Sequence, residues 1–284
     1  MRVLLLCLLF LIVPAAAHGE IVHQLVRPGM PASADYLVGD RNKPAVLLVH
    51  GFLQTREFPT VATLARGLND AGYTVLSPTL SLNIPNRRQS LPCEAVHKHG
   101  MADDVAEIAR WVAWLKSQGN PSIVLFGHSF GSLQALAYLV GKPDRAVKGY
   151  VGASLIEAQI GSNARPALIT QLESRLLDKQ HELVNQPLSF CARYPSTPDG
   201  LLSYVRWDQA SVLSALKKSP VKIQLIMGDS DEMIGGNWLK ALKHIQIPLV
   251  VVKGANHFLN GEYEFDLLDH TVKFLETLKP GAPR

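Results

Sequence analysis

Short apolar runs alternate with amphipathic stretches along most of the chain, and this alternation limits the possible folds more than any other feature. The clearest run is Ala45–Val49, a continuous apolar segment of the kind that forms a strand buried on both faces of a sheet. It is followed by Thr60–Ala71, where apolar residues recur at helical spacing before a glycine. Repeated units of this kind predict an α/β fold, with helices on both faces of a mostly parallel sheet.

The same alternation continues to the end of the chain. Further strands are predicted at Tyr73–Leu76, Ser122–Phe126, Val147–Val151, Val221–Met227 and Pro248–Val252. Further helices are predicted at Met101–Ser117, from Ser129 to a stop near Gly141, and at Asn237–Lys243 and Tyr263–Leu278. Two early runs, Ile21–Val26 and Ala34–Val38, are candidates for an antiparallel edge of the sheet.

The alternation lapses over residues 157–213. This segment contains the helical stretch Pro166–Val184 and the irregular stretch Gln186–Gly200, and it lacks a convincing central strand. Ligands of open α/β sheets bind at the carboxyl ends of the strands. We therefore expect residues 18–284 to form one domain, with residues 157–213 inserted as a helical cap over that edge.

The first 17 residues have the pattern of a signal peptide. Arg2 precedes the apolar run Val3–Val13, which breaks at Pro14 and ends in three alanines. The run is too short to span a bilayer comfortably, although an uncleaved membrane anchor is the alternative. Cleavage after Ala17 would give an exported protein, periplasmic or secreted, without a stable membrane anchor.

Charge and cysteine content narrow the class of protein further. The net charge is +4 with dispersed Lys and Arg, so no nucleic-acid surface is expected, and the pair Arg87-Arg88 is predicted to lie in a solvated loop. In an exported protein Cys93 and Cys191 would remain after cleavage, and we predict that they form a disulfide. The pair His97 and His99 lacks the further ligands of a zinc site, so neither a metal site nor a cofactor is expected.

The pentapeptide Gly127-His128-Ser129-Phe130-Gly131 matches the G-x-S-x-G pattern of a nucleophilic serine. Such a match occurs by chance in about one chain in ten of this length. Its position between an apolar strand and a helix is more specific, because the sharp turn that exposes a nucleophile has this setting. The flanking glycines are expected where neighbouring backbone comes close. Ser129 is therefore the predicted nucleophile, and His128 is interpreted as a structural or pocket-lining side chain.

A serine hydroxyl needs a base, and the base needs an acid that orients it. Three carboxylates, Asp229, Asp231 and Glu232, follow one predicted strand, and His257 follows the next. The order serine, acid, histidine is the order of the nucleophile-elbow enzymes. His257 is the predicted base and Asp231 the favoured acid, with Asp229 as the main alternative.

The negative oxygen formed by attack on a carbonyl needs preorganised hydrogen-bond donors. One expected donor is the backbone N–H of Phe130, at the start of the helix after the serine. The other is the N–H of Phe52, which follows His50-Gly51 at the end of a predicted strand. Gly51 would let this backbone approach the substrate closely.

Taken together, four segments resemble the α/β-hydrolase superfamily: Val49–Phe52, Gly127–Gly131, Gly228–Asp231 and Asn256–Phe258. The resemblance covers about residues 44–279 except the cap. It implies an eight-stranded, mostly parallel sheet with a triad of Ser129, Asp231 and His257. The family pattern G-x-x-D, carried by Gly228 through Asp231, favours Asp231 over Asp229.

These residues predict an exported serine hydrolase that cleaves a carboxylic ester of a small molecule through an acyl-serine intermediate. A serine nucleophile argues against a dehalogenase, which the same fold builds with aspartate. A serine peptidase or amidase is the first alternative, and a non-catalytic binding protein that retains the fold is the second. The sequence gives no indication of oligomeric state.

Overall fold

The computed structural model describes residues 19–160 and 163–278, so the predicted signal peptide lies outside the described residues. Its strands are β1 (Glu20–Arg27), β2 (Met30–Leu37), β3 (Ala45–Val49), β4 (Val75–Thr79), β5 (Ile123–His128), β6 (Val147–Ala153), β7 (Val184–Leu188), β8 (Cys191–Ser196), β9 (Lys222–Gly228) and β10 (Leu249–Val252). Its helices are α1 (Pro59–Asp70), α2 (Met101–Ser117), α3 (Phe130–Val140), α4 (Arg165–Leu177), α5 (Pro198–Val205), α6 (Gln209–Lys217), α7 (Gly235–His244) and α8 (Glu264–Glu276). Within the described ranges, no helix has both the length and the apolarity needed to cross a bilayer.

Eight strands form the central sheet, in the order β1-β2-β4-β3-β5-β6-β9-β10. The pairs β1–β2 and β2–β4 are antiparallel, and every other pair in this sheet is parallel. The predicted α/β fold class and its mostly parallel, eight-stranded sheet are therefore confirmed. Strand β4 extends beyond its predicted end and includes Pro78. Proline has no N–H to donate to a neighbouring strand, and none is needed from Pro78 on the β3 side, because β3 pairs with β4 only as far as Leu76.

Two hydrophobic layers cover the sheet. Helices α1 and α8 contribute to the layer on one face, and α2, α3 and α6 contribute to the layer on the other. Strands β3 and β5 are buried along their whole length, as their continuous apolar sequences predict. These buried strands end at Val49 and His128, so their carboxyl ends place His50–Phe52 and Ser129 next to each other.

The inserted segment, residues 154–221 between β6 and β9, contains α4, α5 and α6 together with the β7–β8 hairpin. The prediction of an irregular stretch at Gln186–Gly200 was wrong, because the hairpin and the start of α5 occupy these residues. Two prolines, Pro187 and Pro195, hide the strand pattern in the sequence. The predicted helix at its start ends earlier, at Leu177.

Tertiary contacts hold this hairpin in place. A disulfide joins Cys191 to Cys93, with 5.4 Å between their Cα atoms, in agreement with the predicted pairing. The backbone of His97 pairs with Pro195 and Thr197, and its ring stacks on Tyr194 with 4.0 Å between centroids. The hairpin is thus fastened to the loop between β4 and α2.

Candidate active site

Ser129 lies at a strained turn between β5 and α3. Its φ and ψ angles are 55° and −122°, a conformation that a non-glycine residue rarely adopts. A side chain at Gly127 would meet the backbone of Gly131 and Ser132 at 2.5 Å, and one at Gly131 would meet the backbone carbonyls of β3 and His50. The two glycines therefore allow the turn that brings the serine hydroxyl to the edge of the sheet.

Ser129, His257 and Asp231 form one hydrogen-bonded chain. His257 Nε2 lies 2.8 Å from Ser129 Oγ, and His257 Nδ1 lies 2.7 Å from Asp231 Oδ2. A carboxylate can only accept, so the histidine proton lies on Nδ1 and Nε2 is free to accept from the serine hydroxyl. All three side chains are buried, which strengthens the electrostatic contacts among them.

The neighbouring carboxylates make different contacts. Asp231 Oδ1 accepts a hydrogen bond from the backbone N–H of Met233 at 2.9 Å, which fixes the carboxylate beside the histidine. Asp229 is exposed and accepts instead from the backbone N–H of Gly254 at 2.6 Å. Glu232 is also exposed. Of the three candidate acids, the fold brings Asp231 to His257.

The two residues expected to supply the oxyanion donors, Phe52 and Phe130, contact each other. The rings of Phe52 and Phe130 are 4.8 Å apart, and both are buried. In the described part of the chain, neither backbone N–H donates a hydrogen bond to another residue. Both N–H groups are therefore without a protein partner in the described ranges, and the N–H of Phe130 also lies at the positive end of α3.

His128 supports the loop that carries the base. Its Nε2 lies 3.1 Å from the carbonyl oxygen of His257, and because a carbonyl can only accept, this nitrogen carries the proton. Burial, followed by the nearby His257, lowers the pKa of His128 to about 4, so its ring is neutral. This contact agrees with the structural part expected for His128.

The predicted solvated loop at Arg87-Arg88 was wrong for one of the two residues. Arg88 is exposed, whereas Arg87 is only 3% exposed and points inward beneath the loop that follows β3. The sequence gives no signal for this difference, because the two residues are adjacent in an irregular segment.

Residues outside the sequence motifs connect the inserted segment to the loop that carries Asp231. The side chain of Gln159, in the inserted segment, donates from Nε2 to the backbone carbonyl of Met233 at 2.6 Å. The backbone carbonyl of Gln159 accepts from the backbone N–H of Ser189 at 3.1 Å. These contacts connect the hairpin turn to the loop that carries Asp231. Two large apolar side chains stay exposed on the connected segments, Phe190 at 56% and Met233 at 38%.

In the described ranges, no cluster of three or more His, Cys, Asp or Glu side chains has the arrangement of a metal site. The geometry instead brings together a serine hydroxyl, a histidine nitrogen that can accept its proton and a carboxylate bonded to that histidine, with two backbone N–H groups that have no partner in the described ranges. This combination can form and stabilise a tetrahedral intermediate at a carbonyl carbon.

Comparison with known proteins gives the family. The model of the alpha/beta hydrolase family matches residues 46–268. No curated protein sequence matches the chain at a significant level.

Solved structures share the fold across nearly their whole length. The alpha/beta hydrolase GrgF from Penicillium sp. sh18 superposes with a TM-score of 0.69 at 16% identity, over 92% of this chain and 99% of that one. DcsB, solved in complex with its substrate analogue, gives 0.70 at 15% identity, over 93% and 100%. Est1E from Butyrivibrio proteoclasticus gives 0.64 at 16%, over 90% and 99%. Likeness at such low identity concerns the fold, while the sequence match and the sheet topology together show that the chain belongs to the alpha/beta hydrolase family.

Proposed function

We propose that the protein is a serine hydrolase that cleaves a carboxylic ester through an acyl-serine intermediate. The observation that carries this proposal is the continuous chain from Ser129 Oγ through His257 to Asp231. The backbone N–H groups of Phe52 and Phe130, which have no partner in the described ranges, also support it. A protein that only bound ligands would have no use for the strained serine turn together with this chain.

The proposed reaction has two halves. Ser129 Oγ attacks the carbonyl carbon while His257 Nε2 takes the serine proton, and Asp231 stabilises the resulting imidazolium. The N–H groups of Phe52 and Phe130 hold the oxyanion. Collapse expels the alcohol, which receives the proton from His257. Water then attacks the acyl-serine with the same base, releasing the acid and restoring the serine.

The substrate we propose is a small ester with an apolar part. Phe190, whose ring contacts Phe52, and Met233, whose N–H is bonded to Asp231, have exposed side chains that an apolar group can cover. Est1E, one of the similar structures, has been solved with ferulic acid bound.

Hydrolysis of matched chromogenic substrates tests the proposal. We expect release of p-nitrophenol from acetyl, butyryl and octanoyl esters, and much slower release of p-nitroaniline from the corresponding anilides. Ser129→Ala should reduce both to the rate without enzyme. Preference for anilides would support a peptidase or amidase instead, and no hydrolysis of either class would contradict the proposal.

We also propose that the protein is exported after cleavage behind Ala17. The pattern of Arg2, apolar run and three alanines supports this, as does a disulfide, since disulfides persist in oxidising compartments. N-terminal sequencing of the protein recovered from periplasm or medium should begin at His18. Recovery of full-length chain from the membrane fraction would contradict it.

A further inference from the structure

Arg87 fastens the loop that carries the proposed oxyanion donor Phe52. Its guanidinium donates from Nη2 to the carbonyl of Gln54 at 2.7 Å and from Nη1 to that of Leu53 at 3.4 Å. On its other side it donates to the carbonyls of Leu80 and Gln89, at 2.7 Å and 2.9 Å. One buried cation therefore connects the loop after β3 to the loop after β4.

The same guanidinium fixes the tautomer of His50. Arg87 Nη2 lies 3.1 Å from His50 Nε2, and the backbone N–H of Leu80 donates to that nitrogen at 3.0 Å. Both partners can only donate, so Nε2 must be unprotonated. Burial, followed by the charge of Arg87, lowers the pKa of His50 to about 3, and the neutral ring carries its proton on Nδ1.

That Nδ1 proton is used on the oxyanion loop itself. His50 Nδ1 donates to the carbonyl oxygen of Gly51 at 2.9 Å, and the N–H of Gln54 donates to the same oxygen at 3.1 Å. This carbonyl belongs to the peptide unit whose N–H is that of Phe52. In a planar trans peptide the C=O and N–H point in opposite directions, so holding the carbonyl also holds the N–H.

The charge of Arg87 is unfavourable at this position, because burial removes the guanidinium from water. Desolvation lowers its pKa to about 10, only partly opposed by the charges of Glu107 and Asp104. Its five contacts go to four carbonyl oxygens and one histidine nitrogen, all of them neutral acceptors. Because a buried charge is costly unless it is hydrogen-bonded, we expect the folded state to keep these contacts.

We propose that Arg87 and His50 are positioning residues that hold the Gly51–Phe52 peptide with its N–H directed at the oxyanion. The proposal rests on the proposed serine hydrolysis, since an oxyanion exists only if that chemistry occurs. Both side chains are almost fully buried, His50 at 1% and Arg87 at 3% exposure, so neither is expected to touch the substrate. Loss of either contact should therefore lower kcat and leave KM nearly unchanged, because the N–H interaction strengthens in the transition state.

Paired variants test this on p-nitrophenyl butyrate. Arg87→Met should lower kcat by about 10- to 100-fold, which is at most the effect of losing one oxyanion donor. KM should stay within about twofold of the wild-type value. The matched control is Arg88→Met, which removes the same charge from the exposed neighbour and should leave kcat unchanged. Equal kcat in the two folded variants, or a loss confined to KM, would overturn the proposal.

A second pair keeps the test decisive if Arg87→Met does not fold. His50→Asn keeps an N–H donor near the Nδ1 position, whereas His50→Gln places its amide near Nε2 and loses that donor. We expect His50→Asn to retain at least about tenfold more kcat than His50→Gln, as one donor contact requires. Equal activity in both, with matching thermal stability, would overturn the inference.

A magnetic resonance measurement separates this inference from the proposed function. In uniformly ¹⁵N-labelled protein, His50 should be protonated on Nδ1 from pH 5 to pH 8, and Arg87→Lys should shift the amide resonance of Phe52. Protonation on Nε2, or an unmoved Phe52 resonance, would refute the positioning arrangement. A wild-type enzyme that hydrolyses no ester but shows this tautomer would refute the proposed function alone.

Discussion

The exposed ring of Phe190 packs edge-on against the buried ring of Phe52, with 5.4 Å between the ring centroids. Phe52 also contacts Phe130, the residue after Ser129, and Tyr194 of the same hairpin as Phe190. The inserted hairpin is therefore in direct aromatic contact with the loop that carries the proposed oxyanion donor. Its outer residue, Phe190, keeps 56% of its surface exposed.

We expect Phe190→Ala to weaken binding of p-nitrophenyl esters with long acyl chains more than binding of the acetyl ester. Removing an aromatic contact surface should raise KM for octanoate by about 5- to 10-fold, equivalent to about 1 kcal/mol, and change acetate by less than twofold. Steady-state kinetics on the ester series measures this. Phe265→Ala, which truncates an exposed phenylalanine on α8, is the matched control and should leave the series unchanged. An identical effect on acetate and octanoate would contradict the prediction.

The two neighbouring aspartates should respond very differently to the same substitution. Asp231→Asn removes the acceptor that fixes the proton on His257 Nδ1, and kcat should fall about 10⁴-fold. Asp229→Asn alters a carboxylate that contacts the exposed backbone at Gly254, and kcat should change less than about threefold. Initial rates at saturating ester measure both. A larger loss in Asp229→Asn than in Asp231→Asn would show that the acid is assigned to the wrong residue.

Stability should fall as the pH is lowered from about 6.5 to about 4. Burial lowers the pKa of His50 to about 3 and the pKa values of His97 and His128 to about 4. In this window the unfolded chain binds protons that the folded chain does not, so each histidine reduces the unfolding free energy by up to about 1.4 kcal/mol per pH unit. Burial also raises the pKa of Glu107 to about 6, which opposes part of this trend because the folded state then binds the extra proton.

Urea unfolding at pH 7.5, 6 and 5 measures this slope. His128→Gln keeps a donor near the Nε2 position. It should reduce the slope of unfolding free energy against pH by up to about 1.4 kcal/mol per pH unit, the contribution of one proton. The exposed His244→Gln is the control and should leave the slope unchanged. A wild-type protein equally stable at all three pH values would contradict the prediction.

Loss of the disulfide should destabilise the fold. Cys93 and Cys191 are 98 residues apart, and closing a loop of this length stabilises by about 4.7 kcal/mol in the chain-entropy account. The double variant Cys93→Ala/Cys191→Ala should lose about this much unfolding free energy in urea, as should the reduced wild type. Titration of the oxidised mature protein under denaturing conditions should find no free thiol. Two free thiols would contradict the pairing.

Local patterns predicted the sheet well because its central strands are short, apolar and buried on both faces. Helix α2 has the predicted limits, Met101 and Ser117. The hairpin was missed because its strands contain prolines and depend on contacts that are distant in sequence, among them the disulfide to Cys93 and the stack of His97 on Tyr194. Sequence periodicity carries no information about such contacts.

Some residues of the candidate site could likewise be predicted from local sequence, and others could not. Ser129 and His257 stand in motifs whose position after a strand could be read directly, and the structure brings both together with Asp231. Arg87 could not be found, because its importance depends on carbonyl groups that approach only after two loops fold over each other. Its adjacent twin Arg88 is exposed, so residue type and local setting did not distinguish them.

Covalent labelling tests the central claim most directly. A fluorophosphonate probe should react with the mature protein, and mass spectrometry of the digested adduct should place the added mass on Ser129. Labelling should vanish in Ser129→Ala and persist in Ser230→Ala, whose hydroxyl contacts the exposed Asp229. An unlabelled wild-type protein, or an adduct that maps to a different residue, would contradict the assignment of Ser129 as the nucleophile.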